Sequence, residues 1–321
     1  MDTQPSSSSH LEFPPTPVAR RFPFITFLAC AACVVVFLGL QIEPDNETWP
    51  ALRKWGYYPP DEIWSGAYWA LVTSVFVHLA AWHMAFNVYW LFVLGTRMER
   101  AIGSLPFAAF FLASAIFSSA AEFAFSGTTG IGASGVAYAL FGFMWLNRNR
   151  VKEFRDVLTP KLVSWFFIWL VGCVVATLTG VWEVGNAAHI GGLLFGAGIA
   201  LRPVCPARRK LITSALSVAG VVSLVPLFWA PWSFEWTSVQ ALRAHEKADI
   251  ATAIKWYRRS MELGQDKAWC LSSMGVLYAW QGDHAAYRQT LDELRRIDPA
   301  EATHLEKEAA DYLQPLEQKT K

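Results

Sequence analysis

Seven apolar stretches within residues 22–229 constrain the fold more than any other feature of the sequence. As a helix, a run of about 20 apolar residues crosses the ~30 Å hydrocarbon core of a bilayer. A chain in lipid must also satisfy its own backbone hydrogen bonds, which favours helices. We therefore predict an all-α, polytopic membrane helical bundle. Its spans would cover residues 22–40, 75–94, 105–125, 134–146, 162–178, 187–201 and 211–229.

Charge divides the chain into two parts. Residues 1–232 contain 27 charged side chains, whereas the 89 residues that follow contain 26. Soluble domains carry about 25% charged residues, so only the second part has the composition of one. The formal net charge of +1 provides no general attraction to polyanions, and we expect no nucleic-acid partner.

These patterns predict four segments. Residues 1–19 are rich in Ser and Pro and should be disordered. Residues 20–203 would form a membrane domain of six spans, 204–232 a seventh span, and 233–321 a soluble helical domain. The five cysteines show neither a disulfide framework nor zinc-ligand spacing, and we expect no metal and no cofactor.

The distribution of basic residues orients the spans. With the N-terminus in the cytoplasm, the inner segments hold 13 Lys and Arg residues, whereas the outer loops hold only Arg53 and Lys54. Positive charge accumulates on the cytoplasmic side of membrane proteins. We therefore expect a multi-pass protein of a cell membrane, such as a bacterial inner membrane. An odd number of spans places residues 233–321 outside the cytoplasm.

Three of the predicted spans carry polar groups at a shared depth. His83 and Asn87 lie one helical turn apart, Ser134 begins the fourth span, and His189 lies in the first turn of the sixth. Each group precedes the inner boundary of its span by 13 or 14 residues, which places it roughly 20 Å above that boundary. Taken singly, each is explained at least as well by an interhelical hydrogen bond. A shared level favours one site built from three helices.

The chemistry of these groups suits acyl transfer. A serine needs a base to act as a nucleophile, and a neutral histidine is the usual one. We therefore predict Ser134 as nucleophile and His189 as general base. Oxyanion donors would be His83, Asn87 and the Ser134 backbone N–H. No carboxylate lies near this level in these three spans, so a dyad is predicted.

Small and aromatic residues would support the dyad. Tyr138 lies one turn below Ser134 and could orient the imidazole, although an amphipathic interface tyrosine is an alternative. Glycines allow helices to pack closely in lipid. The fourth span has Gly135, and the sixth has Gly192 and Gly196 in G-x-x-x-G spacing.

Together these motifs resemble the rhomboid family of intramembrane serine proteases over roughly residues 50–201. The family pattern H-x-x-x-N occurs at His83–Asn87, G-x-S-G at Gly132–Gly135, and A-H-x-x-G-x-x-x-G at Ala188–Gly196. Tyr138 also matches. The family's typical Trp-Arg pair in the first outer loop is replaced by Trp69-Ala70. The serine-hydrolase elbow G-x-S-x-G fails because Val136 occupies its last position.

The resemblance implies a serine endopeptidase that cleaves single-span or multi-span membrane proteins near the outer side of the bilayer. The family's core has six helices, and here a seventh span would follow. The alternative is a non-catalytic, rhomboid-like scaffold or quality-control binder that acts through its C-terminal domain.

The C-terminal domain shows a 34-residue repeat. Asp249-Ile-Ala251 corresponds to Asp283-His-Ala285, and Leu242 corresponds to Val276. This period is typical of tetratricopeptide helix hairpins, which present a protein-binding surface. A plain helical bundle is the alternative. We expect this domain to bind a substrate or another protein partner.

Overall fold

The computed structural model describes residues 22–317. Within that range the secondary structure is helical, without a β-strand. The predicted disorder of residues 1–19 concerns a segment outside the described residues. This architecture agrees with the prediction of a helical bundle. Several of its helices are apolar enough to cross a membrane, as predicted for a multi-pass protein.

Each predicted span overlaps a helix, although not with the same bounds. Short helices lie between the first and second spans and between the fourth and fifth spans. In chain order the helices are α1 (Phe24–Ile42), α2 (Trp49–Lys54), α3 (Pro60–Trp64), α4 (Ala70–Thr73), α5 (Ala81–Ile102), α6 (Ser104–Ser126), α7 (Ser134–Asn147), α8 (Lys152–Val157), α9 (Pro160–Leu178), α10 (Asn186–Val204) and α11 (Arg209–Leu224).

Length and apolarity alone identify fewer spans than the sequence patterns did. In the described range, four segments are long and apolar enough to cross a membrane: α1, α6, α9 and Pro206–Leu227, which contains α11. A fifth qualifies only if the bent pair Ala70–Phe76 and Ala81–Ile102 is one span. α7 has only 14 residues, so it can lie within the bundle but is too short to cross a bilayer unaided.

The boundaries predicted for the second span, residues 75–94, are wrong. The chain bends by 105° before α5, which begins at Ala81 and continues to Ile102. Val77 lies in the extended linker, where it is fully buried beside Leu40 and Leu52. An apolar linker and an apolar helix have the same hydropathy, so the sequence pattern merged them. His83 consequently lies in the first turn of α5.

α7 is the central helix of the bundle. Phe141, Leu140 and Met144 are fully buried among α5, α6, α9 and α10. α9 lies at the periphery, where Phe166 and Cys173 are its buried side chains. The polar positions at the start of α7 are therefore enclosed by protein.

The C-terminal region consists of two helix hairpins and a final helix. Asp249 and Asp283, 34 residues apart, each cap the N-terminus of a helix by accepting a backbone N–H group. Tyr257, Leu277 and Leu305 are buried in its core. The helices are α12 (Phe234–Glu246), α13 (Ile250–Glu262), α14 (Lys267–Gln281), α15 (His284–Ile297) and α16 (Pro299–Glu317).

The C-terminal region packs directly on the membrane bundle. One apolar cluster contains Trp64 of α3, Phe123 of α6, and Trp236 of α12. The indole N–H of Trp64 donates to the carbonyl of Pro226 at 2.9 Å, and Arg243 donates to Ser65 Oγ at 3.0 Å. The C-terminal region, called the tail below, therefore covers the end of the bundle at which the α6–α7 loop lies.

Candidate active site

Glycines determine the conformation of the loop between α6 and Ser134. Gly127, Gly130 and Gly132 have φ values of +71°, +67° and +96°, which side chains with a Cβ rarely adopt. The backbone N–H of Gly132 donates to the Ser74 carbonyl at 3.2 Å. This contact ties the loop to the segment that precedes α5. Ser134 is the first residue of α7.

Ser134 and His189 are in hydrogen-bonding contact. Ser134 Oγ lies 2.8 Å from His189 Nε2, across 55 residues of sequence. His189 is 5% exposed, and its Nδ1 has no hydrogen-bond partner among the described residues. For Nε2 to accept the serine proton, the proton of the neutral imidazole must reside on Nδ1. This arrangement is the two-member geometry expected of a dyad.

Glycines on α10 bring its backbone against that of α7. A Cβ at Gly192 would overlap the carbonyl oxygen of Gly135, and one at Gly196 would overlap that of Ala139. The spacing of four residues places both glycines on one face of α10. The close approach of the two helices allows the short side chains of Ser134 and His189 to meet.

Tyr138 lies beside the imidazole. The ring centroids of Tyr138 and His189 are 4.8 Å apart with an interplanar angle of 34°. The tyrosine hydroxyl donates to the Phe166 carbonyl of α9 at 3.1 Å. Tyr138 therefore has a fixed position from which its ring supports one face of His189.

His83 and Asn87 lie against the loop that precedes Ser134. An added Cβ at Gly132 would lie 2.9 Å from His83 Nε2 and 3.3 Å from Asn87 Nδ2. Asn87 Nδ2 also donates to the His83 carbonyl within α5 at 3.0 Å, which leaves its second N–H for another acceptor. The structure thus brings both predicted oxyanion donors to the start of α7.

Glu122, which the sequence reasoning missed, lies at the same end of the bundle. It is 6% exposed, and its Oε2 accepts the backbone N–H of Ala188 at 2.9 Å. It was not predicted because it lies on α6, outside the three spans that carry the motifs. A carboxylate within an apolar span is itself a signal of function, and that signal could have found it.

His78 is a second residue of this region that is not among the predicted site residues. It is fully buried, its ring centroid lies 5.0 Å from that of His83, and its Nδ1 lies 3.1 Å from the Phe76 carbonyl. It packs against His83, one of the predicted oxyanion donors. Its position in the bent linker could not be foreseen while the linker was assigned to a helix.

Comparison with known families agrees with these features. Residues 65–203 match the family model described as Rhomboid domain. The matched range includes His83, Asn87, Ser134, Tyr138 and His189, whereas α12–α16 lie beyond it. The match supports the assignment of residues 65–203 to the rhomboid family and, with the apolar helices, identifies a multi-pass membrane protein.

Proposed function

We propose that the protein is an intramembrane serine endopeptidase. The observation that carries the proposal is the 2.8 Å contact between Ser134 Oγ and His189 Nε2. This contact joins the starts of α7 and α10, which both lie in the region that matches the family model. Ser134 would attack the carbonyl carbon of the scissile peptide bond while His189 Nε2 takes its proton.

The oxyanion formed by that attack needs donors placed before reaction. The Ser134 backbone N–H, the His83 ring and the free N–H of Asn87 would supply them. His189 would then return its proton to the departing amine, which leaves an acyl group on Ser134. A water activated by His189 would hydrolyse this ester and regenerate the enzyme.

The depth of the site predicts the class of substrate. α7 has 14 residues, so Ser134 lies about 20 Å from the inner end of the helix and below the outer surface of a ~30 Å hydrocarbon core. Substrates would therefore be membrane proteins cut in, or beside, a transmembrane helix near the outer side. A helix must open before its peptide bond can be attacked, so small or helix-destabilising residues should favour cleavage.

We propose the same orientation as the charge distribution predicts, with the N-terminus inside and the tail outside. The tail contacts Trp64 and Ser65 of the first outer loop. The exposed Trp229 and Trp232 lie where α11 ends and the tail begins, and tryptophan is enriched at membrane interfaces. A C-terminal tag should be accessible to protease from outside intact cells; a tag digested only after cell lysis would contradict this topology.

The tail would recruit a substrate or a partner protein. Its packing on the bundle holds it beside the outer loops, and Leu242 and Trp280 are exposed apolar side chains on α12 and α14. Changing both to Ala should slow cleavage of a native substrate and leave a generic reporter unaffected. Equal effects on the two substrates would argue against recruitment.

Cleavage of a single-span reporter in membranes tests the catalytic proposal. Ser134→Ala and His189→Ala should each abolish it, and a fluorophosphonate probe should label wild type but not Ser134→Ala. Ser223→Ala is the matched control, because its hydroxyl donates only to the Gly220 carbonyl within α11. Near-normal cleavage by either dyad variant would disprove the assignment.

A further inference from the structure

The helix that carries His189 begins without a cap from its own sequence. Gly185 occupies the N-cap and has no side chain that could accept a hydrogen bond. The first intrahelical bond runs from the His189 N–H to the Gly185 carbonyl. N–H groups at earlier positions of a helix have no intrahelical acceptor, so the Ala188 N–H requires a partner from elsewhere.

Glu122 supplies that partner from α6. Its Oε2 accepts the Ala188 N–H at 2.9 Å across 66 residues of sequence. The same side chain lies against Gly185, where an added Cβ would be 3.3 Å from the carboxylate. Negative charge is favourable at the N-terminus of a helix because it complements the helix dipole.

The Glu122 side chain also contacts the loop that leads to Ser134. An added Cβ at Gly130 would lie 3.2 Å from Glu122 Cγ. Gly130 precedes Ser134 by four residues, and Ala188 directly precedes His189. One side chain thus contacts the segments that position both members of the dyad.

We propose that Glu122 is a positioning residue for the dyad. By accepting the Ala188 N–H and packing on Gly130, it fixes the start of α10 relative to the loop before α7, and with it the separation of Ser134 and His189. Burying a carboxylate in a membrane helix costs free energy. The contacts of Glu122 with Ala188 and Gly130 offset that cost. The kinetic consequence rests on the proposed protease function.

Two substitutions of Glu122 distinguish a positioning role from a contribution to the overall stability of the protein. Glu122→Leu removes the acceptor and should lower kcat about 100-fold at unchanged KM, because a small misplacement of reacting groups costs about that factor. Glu122→Gln keeps an acceptor oxygen but loses the charge. It should lower kcat only about two- to fivefold.

Amide hydrogen exchange tests the contact without relying on cleavage. The Ala188 amide should exchange faster in Glu122→Leu than in wild type and at a near-wild-type rate in Glu122→Gln. Glu99→Gln is the matched control: Glu99 is also buried and accepts from Thr26 and Ser104, but near the start of α1. It should leave Ala188 exchange and the kcat of folded protein unchanged.

Three outcomes would overturn the inference: unchanged Ala188 exchange in Glu122→Leu, an unchanged kcat in that variant, or equal kcat losses for Leu and Gln. If the wild type cleaves no membrane reporter, the proposed function fails. The exchange measurement still decides whether Glu122 holds the start of α10.

Discussion

Gly192 of α10 lies so close to the carbonyl of Gly135 on α7 that a Cβ at position 192 would overlap that oxygen. Gly192→Ala must therefore push the two helices apart. We expect cleavage to fall at least 100-fold, because the dyad spans the same pair of helices. The measurement is reporter cleavage per folded enzyme in membranes.

Gly172→Ala provides the control for that substitution. Gly172 lies on α9, where an added Cβ would meet no atom within 4 Å. The change should leave cleavage intact and stabilise the helix by up to about 1 kcal/mol. Full activity of Gly192→Ala would show that α7 and α10 do not need this separation.

Tyr138 should contribute to activity through its ring more than through its hydroxyl. Tyr138→Phe keeps the ring beside His189 but removes the donor to the Phe166 carbonyl. It should cost about 1 kcal/mol of stability and preserve cleavage. Tyr138→Ala removes the support of the imidazole and should reduce kcat strongly. Equal kcat for the two variants would contradict a role for the ring.

The packing of the tail on the bundle should be measurable as stability. Trp236 of α12 is buried in the cluster that contains Trp64 and Phe123. Trp236→Ala should destabilise the whole protein by about 3 kcal/mol, a typical value for removing a large buried side chain. Trp165→Ala, on the exposed surface of α9, should have little effect in the same thermal melt. Equal melting temperatures for the two variants would contradict the shared core.

The tail should also lose stability in mild acid. Burial lowers the pKa of His245, which lies 3.1 Å from the Tyr257 hydroxyl; the charges of Glu308 and Glu246 oppose this shift. The unfolded chain therefore binds the proton first. This contribution to stability is complete above the unfolded pKa of about 6.5 and falls as pH decreases towards the folded pKa.

His245→Gln removes that titration. Thermal melts of the full chain between pH 7.5 and 5.5 should show a smaller decrease for the variant than for wild type. Parallel decreases would assign the acid sensitivity to other groups.

The sequence predicted the helical bundle because every span had its own apolar run. It grouped Ser134 with His189 because the two residues share a predicted depth and can act as nucleophile and base. It misplaced the start of α5 because Val77 is apolar and buried in an extended linker. The Glu122 carboxylate within an apolar span was visible in the sequence, but its hydrogen bond to Ala188, 66 residues away, was not. Such a contact leaves no local periodicity.

The tail was predicted as a separate soluble domain because its charge content changes abruptly after residue 232. Composition could not show that Trp236 shares a buried apolar cluster with Trp64. Deleting residues 233–321 would therefore expose part of the loop that contains Trp64 as well as remove the proposed partner-binding surface. Point substitutions on the exposed helices separate these two effects.

The hydrogen bond from Trp64 to the Pro226 carbonyl joins residues 162 positions apart. During synthesis, the loop that contains Trp64 is made long before its acceptor. Its apolar surface stays uncovered until α11 has been inserted and α12 has been made. Completion of this face therefore awaits the synthesis of α11 and α12, and a chain truncated before α11 would leave the apolar side chains of α3 uncovered on this side.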